Sequence, residues 1–140
     1  MRIEGWQRQL NLYLLESQRK YSEEGFKWGE FDCFHFVADW VLLITGIDHL
    51  AEYRGTYSTE EQAFSILKEK EGSVYDALQK RFGDPVHPGK AMRGDIAYRK
   101  DENSLGIYLT SGARMAALFL GKRGFTIPKA KDTDHAFRVL

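Results

Sequence analysis

Cys33 is the only cysteine in the 140-residue chain. It directly follows Asp32, where the loop Trp28-Gly29-Glu30-Phe31 gives way to an apolar run of helical character. A helix start carries unpaired backbone N–H groups and about half a positive charge. That setting favours an anionic sulfur and lowers the thiol pKa toward the range of a useful nucleophile. In this geometry Asp32 is the N-cap and Cys33 the first helical residue. The competing account is that Cys33 packs as a small hydrophobe, free cysteine being among the most buried residue types.

The elements around this pair follow from apolar spacing and caps. From Trp6, the residues Leu10, Tyr13 and Leu14, with Leu12 and Leu15, recur at helical intervals and predict an amphipathic helix ending in the charged stretch before Gly25. A second helix runs from Cys33 to about Thr45, with Gly46 ending it. It is apolar nearly all round, so it must be covered on several sides as the core helix. Ser58 with Glu61 reads as a capping box for a third helix turning Ala63, Phe64, Ile66 and Leu67 inward, and Ser73 with Asp76 starts a fourth that ends at Gly83. After the turn region Gly83 to Gly89 the period changes. The segments Asp95–Tyr98, Leu105–Leu109, Met115–Phe119, Phe125–Ile127 and Ala136–Val139 are short strands. They predict an antiparallel sheet with one face on the Cys33 helix. The class is α+β, a single domain over 1–140, with an N-terminal helix (1–24), a helical half (26–83) and a sheet half (93–140).

Twenty basic and twenty acidic residues cancel, which argues against a nucleic-acid footprint. A single cysteine forms no internal disulfide, so no oxidising compartment is required. The charged first thirty residues do not read as a signal peptide, and the longest apolar stretch, Val41 to Ile44, is too short to span a bilayer. Synthesis and folding in a cytoplasm are expected. The spacings of Cys, His and acidic residues fit no metal site, no phosphate-binding loop is present, and no cofactor is implied. Asp39, on the apolar second helix, is costly if buried alone and is expected to pair with Arg54 or Arg93. Arg54-Gly55-Thr56-Tyr57 and Arg93-Gly94-Asp95 read as scaffold turns. Trp28, Phe31 and Trp40 either line a groove or, as aromatics around a core helix, form core.

The order Phe26-Lys27-Trp28-Gly29, Asp32-Cys33, Ala38-Asp39, Thr45-Gly46, Arg54-Gly55-Thr56-Tyr57, Arg93-Gly94-Asp95-Ile96, Leu105-Gly106-Ile107-Tyr108-Leu109 and Ala136-Phe137-Arg138-Val139 resembles the papain-like cell-wall peptidases of the NlpC type. It is closer still to small phage and prophage proteins from tail-gene clusters. The resemblance implies a papain-like fold with Cys33 as nucleophile. It also places the catalytic histidine two residues before Gly106, where this chain has Ser104. Serine cannot serve as the base that an amide-cleaving thiol needs at neutral pH.

Of the four histidines, His35 lies two residues beyond Cys33, and residues two apart point to different sides of a helix, so it belongs to the helix packing. His49 follows the helix end and is expected to face solvent. His87, in the proline-flanked turn, and His135, at the last strand, remain as substitute bases, and Asp32 as a group that orients one. Two functions follow from the resemblance. One is a catalytically degenerate tail-tip or tail-assembly protein, carried in the virion and binding other tail proteins. The other is a cysteine amidase or endopeptidase acting on peptidoglycan stem peptides.

Overall fold

The computed structural model describes residues 1–140. Four helices precede five strands, and cap residues set most of the boundaries. Helix α1 spans Trp6–Glu24 and is closed by the Gly25 N–H donating to the Tyr21 carbonyl. Its inward stripe is narrower than the apolar spacing predicts: Leu10 is buried and Tyr13 and Leu14 partly so, while Leu12 and Leu15 are exposed. Helix α2 spans Cys33–Thr45, capped by the Asp32 side chain at one end and by left-handed Gly46 at the other. Helix α3 spans Glu60–Glu71. Its N-cap is Thr59, not Ser58: the Thr59 hydroxyl accepts from the Gln62 N–H, and the Gln62 side chain accepts from the Ser58 N–H. Helix α4 spans Val74–Phe82, capped by Ser73 and ended by Gly83.

The strands are β1 (Ile96–Arg99), β2 (Ser104–Tyr108), β3 (Ala117–Gly121), β4 (Gly124–Thr126) and β5 (His135–Phe137). They form one antiparallel sheet in the order β4-β3-β2-β1-β5. The third strand starts two residues later than its apolar pattern predicts, because Met115 (φ 49°) closes a short 3-10 turn over Gly112–Arg114. Asp95 likewise belongs to the turn before β1.

Alternation along the strands assigns two faces. Ile96, Tyr98, Leu105, Ile107, Leu118, Leu120 and Phe137 join α2 in the main core. Ala97, Tyr108, Ala117, Phe119 and Ala136 form a smaller cluster on the far face with Ala91 and Val86 from the preceding turn. Gly106 is required on that far face, since a Cβ there would sit 2.6 Å from the Leu118 carbonyl oxygen and 2.9 Å from the ring of its register partner Phe119. Helix α2 lies on the near face with α1 on its other side. Tyr13 of α1 stacks on Phe36 and donates its hydroxyl to the Phe36 carbonyl at 2.6 Å, and the Trp40 indole donates to the Gly94 carbonyl at 2.9 Å. The covering is incomplete at its C-terminal end, where Leu42 and Leu43 are exposed.

The termini are tied together through Asp95. Its carboxylate, 1 % exposed, pairs with Arg2 at 2.5 Å and accepts the N–H groups of Met92 and Val139. Arg2 also donates to the Val139 and Arg93 carbonyls, and the Met1 amine meets the Leu140 carbonyl. No helix is long and apolar enough to cross a membrane.

Candidate functional site

The loop before α2 delivers Asp32 and Cys33 to the helix start, and Gly29 (φ 86°) lets that loop close against the backbone at Tyr57, whose carbonyl oxygen a Cβ at position 29 would overlap. This close approach brings the Tyr57 ring onto Asp32. The Asp32 carboxylate, fully buried, accepts four donors. Oδ1 takes the His35 N–H at 2.9 Å and lies 2.8 Å from His35 Nδ1, while Oδ2 takes the Gly29 N–H at 2.9 Å and the Tyr57 hydroxyl at 2.8 Å. Burial alone would raise the Asp32 pKa, but the hydrogen bond and charge of His35 and the two backbone N–H groups outweigh it and hold the carboxylate below its ordinary range. Burial, then the adjacent Asp32 charge, raises the Tyr57 hydroxyl well above its usual value and keeps it a donor.

Cys33 lies beside this cluster without joining it. Cys33 is 5 % exposed, and burial, with the Asp32 charge adding to it, pushes its thiol pKa up to about 12. The backbone N–H groups of Leu105, Cys33 and Phe34 act in the opposite direction but do not prevail. The expectation of an acidic, nucleophilic thiol is therefore corrected: desolvation outweighs the helix dipole here. Asp32 serves as N-cap and as the acceptor for His35 and Tyr57.

None of the four imidazoles hydrogen-bonds to the sulfur. His35 Nδ1 is engaged by Asp32 and lies 3.3 Å from the Tyr57 hydroxyl. His87 sits in the turn that covers the far face of the sheet, its Nδ1 accepting from the Gly89 N–H at 2.9 Å. His135 does face the α2 side, stacked on Tyr98 and edge-on to Tyr75. It pairs with Tyr98, which pairs with Leu105. That puts it two strand spacings, roughly 10 Å, from the strand that meets Cys33. Ser104 shares the parity of Gly106 and Tyr108 and so the far face, and its hydroxyl is buried without a hydrogen-bond partner. His49, expected in solvent, instead packs edge-on against Phe82 at 4.8 Å.

The remaining candidates are structural. Arg54 pairs with Asp39 at 2.6 Å and with Asp48 at 3.0 Å, so Asp39 has its expected partner, though as a part-exposed group rather than a buried one. Arg93 turns instead to Asn11 and the Gln7 and Leu109 carbonyls. Phe31 and Trp40 are buried core, and Trp28 is enclosed by Phe26, Phe34 and Phe64 with its indole N–H unpaired. No group of three or more His, Cys, Asp and Glu side chains is placed to hold a metal ion.

The Asp32–His35 contact was readable as an N-cap and a residue three positions on, which share a helix face. The Tyr57 contact carried no such signal, because it joins Asp32 only through the close approach at Gly29. Beyond Tyr57 lies an apolar cavity of about 90 Å³ between α2, α3, α4 and the 47–57 loop, with Leu105 of β2 in its wall and Cys33 absent from it.

A family model described as a domain of unknown function, DUF6950, matches residues 1–139. The chain belongs to the DUF6950 family. No curated protein and no solved structure matches it. Across this DUF6950 domain the Asp32–His35–Tyr57 cluster is a dense group of buried polar chemistry, and no imidazole hydrogen-bonds to the thiol beside it.

Proposed function

We propose that this domain is a catalytically silent relative of the NlpC-type papain-like peptidases that serves as a tail-tip or tail-assembly component of a phage-like particle. The observation that carries the silent half of this reading is the state of Cys33: a buried thiol with its pKa raised to about 12 and no imidazole on its sulfur. Cysteine-dependent amide cleavage needs a thiolate and a proton donor for the leaving amine within hydrogen-bond reach. The arrangement of an apolar helix, opened by the cysteine, on an antiparallel sheet is compatible with a papain-like ancestry. The tail role rests on the resemblance in motif order, and its partners are other tail proteins, with peptidoglycan as a surface met by the particle.

Two measurements test the reading. Purified protein incubated with peptidoglycan stem peptides is expected to give no turnover, and Cys33→Ala is expected to assemble into particles as the wild type does. Turnover that disappears in Cys33→Ala would overturn the silent reading in favour of a cysteine amidase. Infectious particles that lack the chain altogether would overturn the tail role.

A further inference from the structure

Three helices each turn an alanine toward the same space: Ala38 from α2, Ala63 from α3 and Ala77 from α4. Larger apolar side chains at any of these positions would fill the void they leave. Fourteen of its seventeen lining residues are hydrophobic, and it opens to the surface rather than being sealed. Three of the polar groups at its edge are matched to one another. Glu71, its side chain 3 % exposed, accepts the Tyr53 hydroxyl at 2.9 Å and Arg81 at 2.7 Å, so acid and base cancel. His49 beside them is pushed below its usual pKa by burial and then by the Arg81 charge, and so stands neutral at pH 7.

We propose that this cavity is a binding site for a small, neutral aliphatic group, smaller than benzene, held by apolar contact alone. Size limits the group held inside: the recess is about 90 Å³, against roughly 150 Å³ for an apolar cavity known to admit benzene. Charge sets the class. A carboxylate would have to take Arg81 from Glu71, and an ammonium would have to take Glu71 from Arg81, in either case leaving a desolvated charge unpaired. The site is separate from Cys33 and independent of any catalytic or tail role.

The test uses the full chain with xenon and isobutane as probes and isobutyrate and isobutylamine as charged counterparts. Either neutral probe is expected to shift the methyl resonances of Val41, Leu67, Leu78 and Leu105 saturably and to raise the thermal midpoint. The charged compounds are expected to do neither. Ala77→Leu should raise the ligand-free midpoint and weaken isobutane binding by about tenfold or more. Ala63→Leu, filling the void from the opposite wall, serves as the second variant should the first fail to fold. Methyl resonances that ignore both neutral probes, charged compounds that bind as tightly as isobutane, or an alanine replacement that folds and keeps wild-type affinity would each overturn the proposal.

Discussion

Asp32 commits both carboxylate oxygens to four donors in a buried site, and its charge adds to the burial that raises the pKa of the neighbouring thiol. The positive end of α2 is already answered by a charge, so the sulfur gains little from it, and burial decides its protonation. In the folded protein Cys33 should therefore resist iodoacetamide through neutral and mildly alkaline pH, and react promptly once denaturant opens the chain. Fast labelling of the native state near pH 8 would show the sulfur to be reachable and acidic after all. Because the folded Asp32 pKa is depressed, its stabilisation is full above the ordinary aspartate value of about 3.9 and is lost as pH falls from there through the folded pKa. Asp32→Asn should cost roughly 3 kcal/mol at pH 7, since His35 and Tyr57 lose a buried anionic partner. It should also flatten the acid limb of stability against pH. Denaturant titrations of both proteins between pH 2 and pH 7 check both effects (a range below and above the aspartate value of about 3.9).

At the scale of elements, the sequence is legible wherever one residue type ends a helix. Asp32, Ser73, Gly25, Gly46 and Gly83 each stand at the boundary their chemistry predicts. The third helix slipped by one residue because Ser58-Thr59-Glu60-Glu61-Gln62 contains two overlapping capping boxes, and only the folded chain shows that Gln62 selects Thr59. All five strands are visible as alternating runs, but a turn such as that closed by Met115, a non-glycine residue with positive φ, moves their ends. The environment of Cys33 was not legible, because burial depends on which distant segments arrive. Strand parity adds a further point that motif spacing lacks: position 104 lies on the far face, so a histidine placed there would point away from the thiol. The same face makes Gly106 intolerant of even a methyl group. Gly106→Ala should destabilise the protein by about 2 kcal/mol through overpacking against Phe119 and the Leu118 carbonyl. A chevron or equilibrium urea curve that matches the wild type would show that β2 and β3 can part to admit it.

Across the whole molecule, stability depends on a clamp that joins the two ends of the chain to the turn before the sheet. Arg2 is 10 % exposed at its side chain and Asp95 1 %, so the pair is shielded from solvent. Removing the cation leaves a buried carboxylate with only the Met92 and Val139 N–H groups. Arg2→Ala should cost about 3 kcal/mol, and the double variant Arg2→Ala/Asp95→Asn should recover part of that loss, because the stranded charge is then gone. Equal stability of the single and double variants would mean that the carboxylate left without Arg2 carries no net penalty.

That clamp also brings residues 1 and 140 together at one corner of the domain, Met1 against Leu140. The chain can thus be closed at that corner and opened elsewhere without changing the order in which its internal elements follow one another. A short linker joining residue 140 to residue 1, with new ends opened between the exposed Lys122 and Arg123, would leave every helix and strand in place. For the same reason, cargo spliced to residue 1 or to residue 140 would hang from a single point on the surface.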